Sequence, residues 1–120
     1  LHRLHVTQVE IDYEGSCALD TQFMEAAKMT EYEKVEIYNV TNGERFSTYL
    51  IAAEAGSKTV SINGAAAHKA SPEDIIIICS YASMSEDQIS SHAPTLVYFN
   101  ESNEIVDIKS SIPTQRLRSL

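Results

Sequence analysis

The stretch Glu33-Lys34-Val35-Glu36-Ile37-Tyr38-Asn39-Val40-Thr41-Asn42-Gly43-Glu44-Arg45-Phe46-Ser47-Thr48-Tyr49-Leu50-Ile51-Ala52 decides the fold. Its first run, Glu33 to Val40, alternates through Val35, Ile37 and Tyr38, as a strand with one face on a core requires. Thr41 to Glu44 then turns the chain, and Asn-Gly between two β-rich runs is the strongest short-range hairpin signal. Arg45 to Ala52 is the returning strand. On it, Arg45 and Tyr49 are four residues apart and share a face, while Thr48 points the other way.

The same reading extends in both directions. Leu4 to Ile11 is a half-buried strand, with Leu4, Val6 and Ile11 on one face, ending in the break Asp12 to Ser16. Thr21 to Met29, carrying Phe23, Met24, Ala26 and Ala27, is the best helix. Short strands follow at Thr59 to Ile62, Ile75 to Tyr81, Leu96 to Asn100 and Glu104 to Ile108. Ala65 to Lys69 is one helical turn. Ser85 with Gln88 three residues on forms a capping box before another. Six or seven short strands with few helices predict a small, mostly-β barrel. One domain spans residues 1–120, and residues 109–120, with Arg116 and Arg118, form a peripheral tail.

The chain has 120 residues, enough for one core, with 43% hydrophobic and 22% charged residues, the range of an ordinary globule. A net charge of −8 argues against nucleic acid, which needs clustered cations. The longest apolar run, Ile75 to Cys79, fits a buried strand and not a membrane span. Leu1 to His5 lacks the apolar core of a signal peptide, so the protein is expected in the cytoplasm. The absence of an initiator Met points to a leader missing from this sequence. Cys17 and Cys79 read as reduced, half-buried thiols. His68 and His92 lie in no ligand spacing, so no metal is expected.

Gly15-Ser16-Cys17 carries the chemistry. A serine hydroxyl can attack the carbonyl before it, shifting the acyl group from nitrogen to oxygen. The ester is a leaving group beta to an acidic Cα–H, so elimination yields dehydroalanine and hydrolysis a pyruvoyl group. Glycine at 15 leaves the attack unobstructed and tolerates strained backbone. In isolation Gly-Ser is also an ordinary turn pair. Arg45 is equally an exposed hairpin arginine, Tyr49 a strand aromatic and Thr48 a strand filler. Nothing around Cys17 argues for a reactive thiolate.

Leu1-His2-Arg3, Tyr13 to Cys17, Asn39 to Tyr49, Val60 to His68 and Asp74 to Tyr81 run in the order found in the pyruvoyl-dependent aspartate decarboxylases, and the chain resembles that family from about 1 to 108. The resemblance implies a double-psi β-barrel and a homotetramer with pockets between subunits. It also implies self-cleavage between Gly15 and Ser16, giving a small chain of residues 1–15 and a large chain of 16–120. The cofactor would be a covalent pyruvoyl group from Ser16, with neither metal nor pyridoxal phosphate. L-aspartate would condense with it as a Schiff base and lose CO2 to give β-alanine for pantothenate and coenzyme A biosynthesis. By resemblance Arg45 grips a substrate carboxylate, and Tyr49 protonates the carbanion. Thr48 steadies the carbonyl of Gly15. Asn63 orients the ester or substrate, and Gly64, Ala65 and Ala66 bring backbone close to it. His2, Tyr13 and Tyr38 are secondary candidates.

Family members carry a lysine just before the position of Leu1, so the resemblance implies either a trimmed sequence or an enzyme lacking that contact. The residues do not specify a maturation partner. Two rival readings remain: a non-catalytic barrel binding module with an intact Gly15–Ser16 bond, and a hydrolase that uses a freed N-terminal Ser16.

Overall fold

In the computed structural model, residues 1–117 are described, and Arg118 of the expected tail lies outside them. Among the described residues, nine strands form one sheet. They are β1 (His2–His5), β2 (Gln8–Glu10), β3 (Ser16–Asp20), β4 (Lys34–Asn39), β5 (Arg45–Ala53), β6 (Val60–Asn63), β7 (Ile75–Cys79), β8 (Leu96–Phe99) and β9 (Ile105–Lys109). Two short helices, α1 (Thr21–Ala27) and α2 (Glu86–Ser91), and a 3₁₀ turn at Gly64–Lys69 complete the elements. The sheet order is β2-β6-β3-β5-β4-β7-β1-β8-β9.

The hairpin forms where the alternation places it. β4 and β5 pair antiparallel, with Tyr38 opposite Arg45, Glu36 opposite Ser47 and Lys34 opposite Tyr49. Gly43 supplies the left-handed turn residue at φ +80°. Asn39, buried at the end of β4, fixes this turn. Its Oδ1 accepts from the backbone N–H of Thr41 and Asn42 at 3.0 and 3.2 Å. Its Nδ2 donates to Asp74 Oδ2 at 2.9 Å, tying the hairpin to the entrance of β7.

The mostly-β expectation holds, but the hydrogen-bonded sheet is not closed. β1 pairs with β7 and β2 with β6, so the expected single strand Leu4 to Ile11 splits at Val6-Thr7 and serves both ends of the sheet. The Val6 N–H donates to Asp74 O and that of Thr7 to Val60 O, at 2.9 and 2.8 Å. One extended segment cannot keep register with two diverging neighbours, so the chain bends. Ile11 therefore falls in the turn after β2, exposed rather than facing the core.

Leu4, Val6, Leu19, Ile37, Leu50, Ile62, Ile76 and Ile78 are fully buried. Each contributes about 1.5–3 kcal/mol by leaving water. Phe23 of α1 packs edge-on against Phe99 of β8, with centroids 4.8 Å apart. α1 starts at Asp20, whose buried carboxylate accepts backbone N–H bonds from Gln22, Gly56 and Lys58. The helix stops two residues short of the expected Met29, because Lys28 turns left-handed at φ 59°. The capping box of Ser85 and Gln88 opens α2 as expected.

Three further corrections concern boundaries. β7 ends at Cys79, leaving Tyr81 outside the strand. β9 runs through Lys109, so the tail begins one residue later. β3 was not expected at all. It lies in the middle of the sheet, parallel to β5 and antiparallel to β6.

Candidate active site

Ser16 opens β3 and is fully buried. It pairs with Asn63 at the end of β6. The Ser16 hydroxyl donates to Glu14 O at 3.0 Å and accepts from Asn63 Nδ2 at 3.1 Å. Asn63 Oδ1 in turn accepts from Ser61 Oγ at 2.7 Å. This buried relay fixes Ser16 Oγ beside the Gly15–Ser16 bond, and a half-satisfied version of it would be costly. Sequence reading named Asn63 but not Ser61. The clue was available, since two residues apart on one strand means one face.

The close backbone approach that the resemblance implies after Asn63 is seen at Gly64. A Cβ on Gly15 would meet nothing within 4 Å. One on Gly64, at φ +67°, would stand 2.6 Å from Gly15 Cα and 2.9 Å from Gly15 N. Gly64 thus holds the 3₁₀ turn against the backbone just before Ser16, and only glycine fits there.

The second half of the site lies on β5. Cys17 pairs with Leu50, so one step back along these parallel strands Ser16 stands beside Tyr49, on the face away from the core. Arg45 shares that face, as expected, about 13 Å along the strand from Tyr49. Its guanidinium lies over the Tyr38 ring, 4.5 Å from the centroid. The nearby carboxylates are engaged elsewhere. Glu44 pairs with Lys69 at 2.9 Å, and Glu36 accepts from Ser47 at 2.6 Å. Among the described residues, no salt bridge involves Arg45. Its fork is therefore open to an external carboxylate.

The structure does not bring every candidate to this place. Thr48 is half-buried on the opposite face of β5, whose pairing with β3 and β4 runs without a register shift. Ala65 is exposed and Ala66 half-buried on the 3₁₀ turn that follows Asn63. His2 sits on β1 with its ring edge-on to Tyr98, centroids 5.3 Å apart. Burial, then the charge of Arg3, lowers its pKa. Tyr13 is exposed in the turn between β2 and β3, its carbonyl facing Gly64. Cys17 is fully buried rather than half-buried, and burial pushes its thiol up to about 12. No group of three metal-binding side chains occurs among the described residues. Nor is any helix among them long and apolar enough to cross a membrane.

The geometry thus amounts to a mostly-β domain with a buried serine behind a glycine and, farther along the same face, an arginine with no ion pair among the described residues. Residues 1–106 match the family described as aspartate decarboxylase, and the chain belongs to that family. It is 52% identical over 115 residues to the aspartate 1-decarboxylase of Hydrogenovibrio crunogenus, covering 96% of this chain and 89% of that protein. Against that of Methylobacillus flagellatus the identity is 53%, covering 96% and 91%. Against that of Ralstonia pickettii it is 52%, covering 92% of each.

Proposed function

We propose that this protein decarboxylates L-aspartate at the α-carbon to β-alanine, after cutting its own chain between Gly15 and Ser16. The observation that carries this reading is the buried relay from Ser61 through Asn63 to Ser16, at the bond that Gly64 packs against. A pyruvoyl group is no bulkier than the serine residue it replaces, so it fits where Ser16 stands without a new cavity. Such a group supplies an electron sink next to the carboxylate that leaves.

This chain's own residues do the rest. Asn63 holds Ser16 Oγ in one orientation, so attack on the Gly15 carbonyl closes a five-membered ring with little further ordering. Opening of the ring breaks the Gly15–Ser16 C–N bond and leaves an ester. Loss of the Ser16 Cα proton expels the Gly15 carboxylate to give dehydroalanine, and water then replaces the nitrogen, which leaves as ammonia. Arg45 receives a substrate carboxylate in its open fork. The Tyr49 phenol delivers a proton to the α-carbon as CO2 departs. Supporting roles fall to Tyr13, whose carbonyl faces Gly64, and to Ala65 and Ala66 on the turn after Asn63.

Arg45 and Tyr49 are too far apart to act on one small molecule without help from their long side chains or a second subunit. A homotetramer with shared sites answers this. It is supported by β9, the sheet edge, where Ile105, Val106 and Ile108 are exposed. Two free thiols suit a reducing cytoplasm, and the product would feed pantothenate and coenzyme A synthesis.

Intact mass with a β-alanine assay tests the reading. The expected result is fragments 1–15 and 16–120, the latter starting in a pyruvoyl group, together with β-alanine release from L-aspartate. An uncut chain without turnover would favour the binding module, and a fragment starting in unmodified Ser16 the hydrolase.

A further inference from the structure

Tyr81 lies two residues past the end of β7, where the strand pattern no longer constrains it and where 72% of its surface is exposed. Its hydroxyl nonetheless meets the Tyr38 hydroxyl at 2.8 Å. Tyr38 stands between two neighbours, opposite Ile77 of β7 and opposite Arg45 of β5. Its ring is the surface on which the Arg45 guanidinium rests, 4.5 Å from the centroid. The three residues therefore form a chain of contacts: Tyr81 to the Tyr38 hydroxyl, the Tyr38 ring to Arg45.

We infer that Tyr81 is a positioning residue for Arg45, acting through Tyr38. It rests on the reading of Arg45 as the carboxylate-binding group. An arginine side chain carries several free torsions, and ordering it on binding costs affinity unless it is ordered beforehand. Stacking fixes the plane of the fork from one side and leaves its N–H edges free. A phenol ring standing on a strand can still turn about its own torsions. The bond from Tyr81 removes that freedom at the far end of the ring. The Tyr38 hydrogen bond, followed by burial and the neighbouring Cys79, holds the Tyr81 phenol above its usual range, so Tyr81 stays protonated in use.

The test compares Tyr81→Phe, Tyr38→Phe, their double variant and Arg45→Lys in the full-length, self-processed protein. KM and kcat for L-aspartate are read together with the dissociation constant of succinate, a dicarboxylate without the reacting amine. Tyr81→Phe should raise KM and the succinate constant about three- to tenfold, the worth of one partly exposed hydrogen bond or cation–π contact. Its kcat should stay within about twofold, since the fork is used in binding rather than in proton transfer. Tyr38→Phe should match it, and the double variant should be no worse than either, because one bond is lost in all three. If Arg45→Lys weakens succinate and raises KM while Tyr81→Phe and Tyr38→Phe leave both unchanged, the positioning role of Tyr81 is overturned alone. If Arg45→Lys also leaves both unchanged, the carboxylate-binding reading falls and takes this inference with it. A Tyr81→Phe protein that loses kcat and melting temperature together, with KM unmoved, would show an ordinary structural role instead and overturn the inference.

Discussion

At the start of β3, Ser16 and Asn63 are buried and every side-chain polar atom has a partner. Farther along the same face, on β5, Tyr49 and Arg45 are exposed, and Arg45 has no ionic partner among the described residues. Under the proposed function, the contrast follows from what each region would have to do. A bond that breaks itself needs its nucleophile held in one geometry with water excluded, which burial and a full hydrogen-bond set provide. A surface that receives a charged substrate must keep its donors free, and neighbouring carboxylates would otherwise occupy them.

The sharpest way to break this division is at Ser16. Ser16→Ala keeps the backbone pairing with Asn63 but removes the nucleophile. It should remain a single chain by mass and release no β-alanine. Normal turnover by that variant would remove the self-processing half of the comparison altogether. Tyr49→Phe, on the open face, should behave in the opposite way. It should process fully, because the phenol is not bonded to Ser16, yet its turnover should fall by about 10²–10⁴, the range for a positioned general acid. Steady-state rates on fully cleaved protein decide it, and a near-normal rate would assign the proton to another donor.

Legibility in the sequence follows the same division. The open face was readable because β4 and β5 are local. Val35, Ile37 and the Asn42-Gly43 turn set their pairing without distant help, and four-residue spacing put Arg45 and Tyr49 on one side. The buried region was not readable from pattern. Ser16-Cys17-Ala18-Leu19-Asp20 contains no β-branched or aromatic residue, so β3 exists through its long-range pairing with β5 and β6. Residues 15 and 64 meet only in three dimensions, so the resemblance points to a close backbone approach after Asn63 but not to Gly15 as what it meets. Where periodicity was silent, the chemistry of a Gly-Ser bond pointed to Ser16 and the family resemblance to Asn63, but neither named Ser61.

That contact between glycines gives a paired measurement. Gly64→Ala must place a methyl 2.6 Å from Gly15 Cα at φ +67°. It should destabilise the protein by about 3 kcal/mol and slow self-cleavage, since the turn carrying the site has to shift. Gly15→Ala meets nothing within 4 Å and should stay within about 0.5 kcal/mol of wild type. Thermal unfolding of both on the Ser16→Ala background isolates folding from cleavage. Equal losses at the two positions would mean the Gly15–Gly64 contact does not hold the site.

The smallest expected effect separates the two cysteines. Cys17 is fully buried on β3 next to Ser16, while Cys79 is half-buried at the end of β7. Burial disfavours the thiolate of Cys17, and its pKa of about 12 in the folded protein lies above that of an unfolded thiol, about 8.5. Below about pH 8.5 both states hold the proton, and the group contributes no pH dependence. Between about 8.5 and 12 only the unfolded chain releases it, so stability falls as pH rises, by at most about 1.4 kcal/mol per unit. Cys17→Ala should flatten the alkaline side of the stability curve. Alkylation at pH 8 should label Cys79 first, with Cys17 modified at the rate of global unfolding. Rapid labelling of Cys17 in the folded protein would show that the β3 region opens to solvent. The tight half of the comparison would then have to be rebuilt around a mobile Ser16.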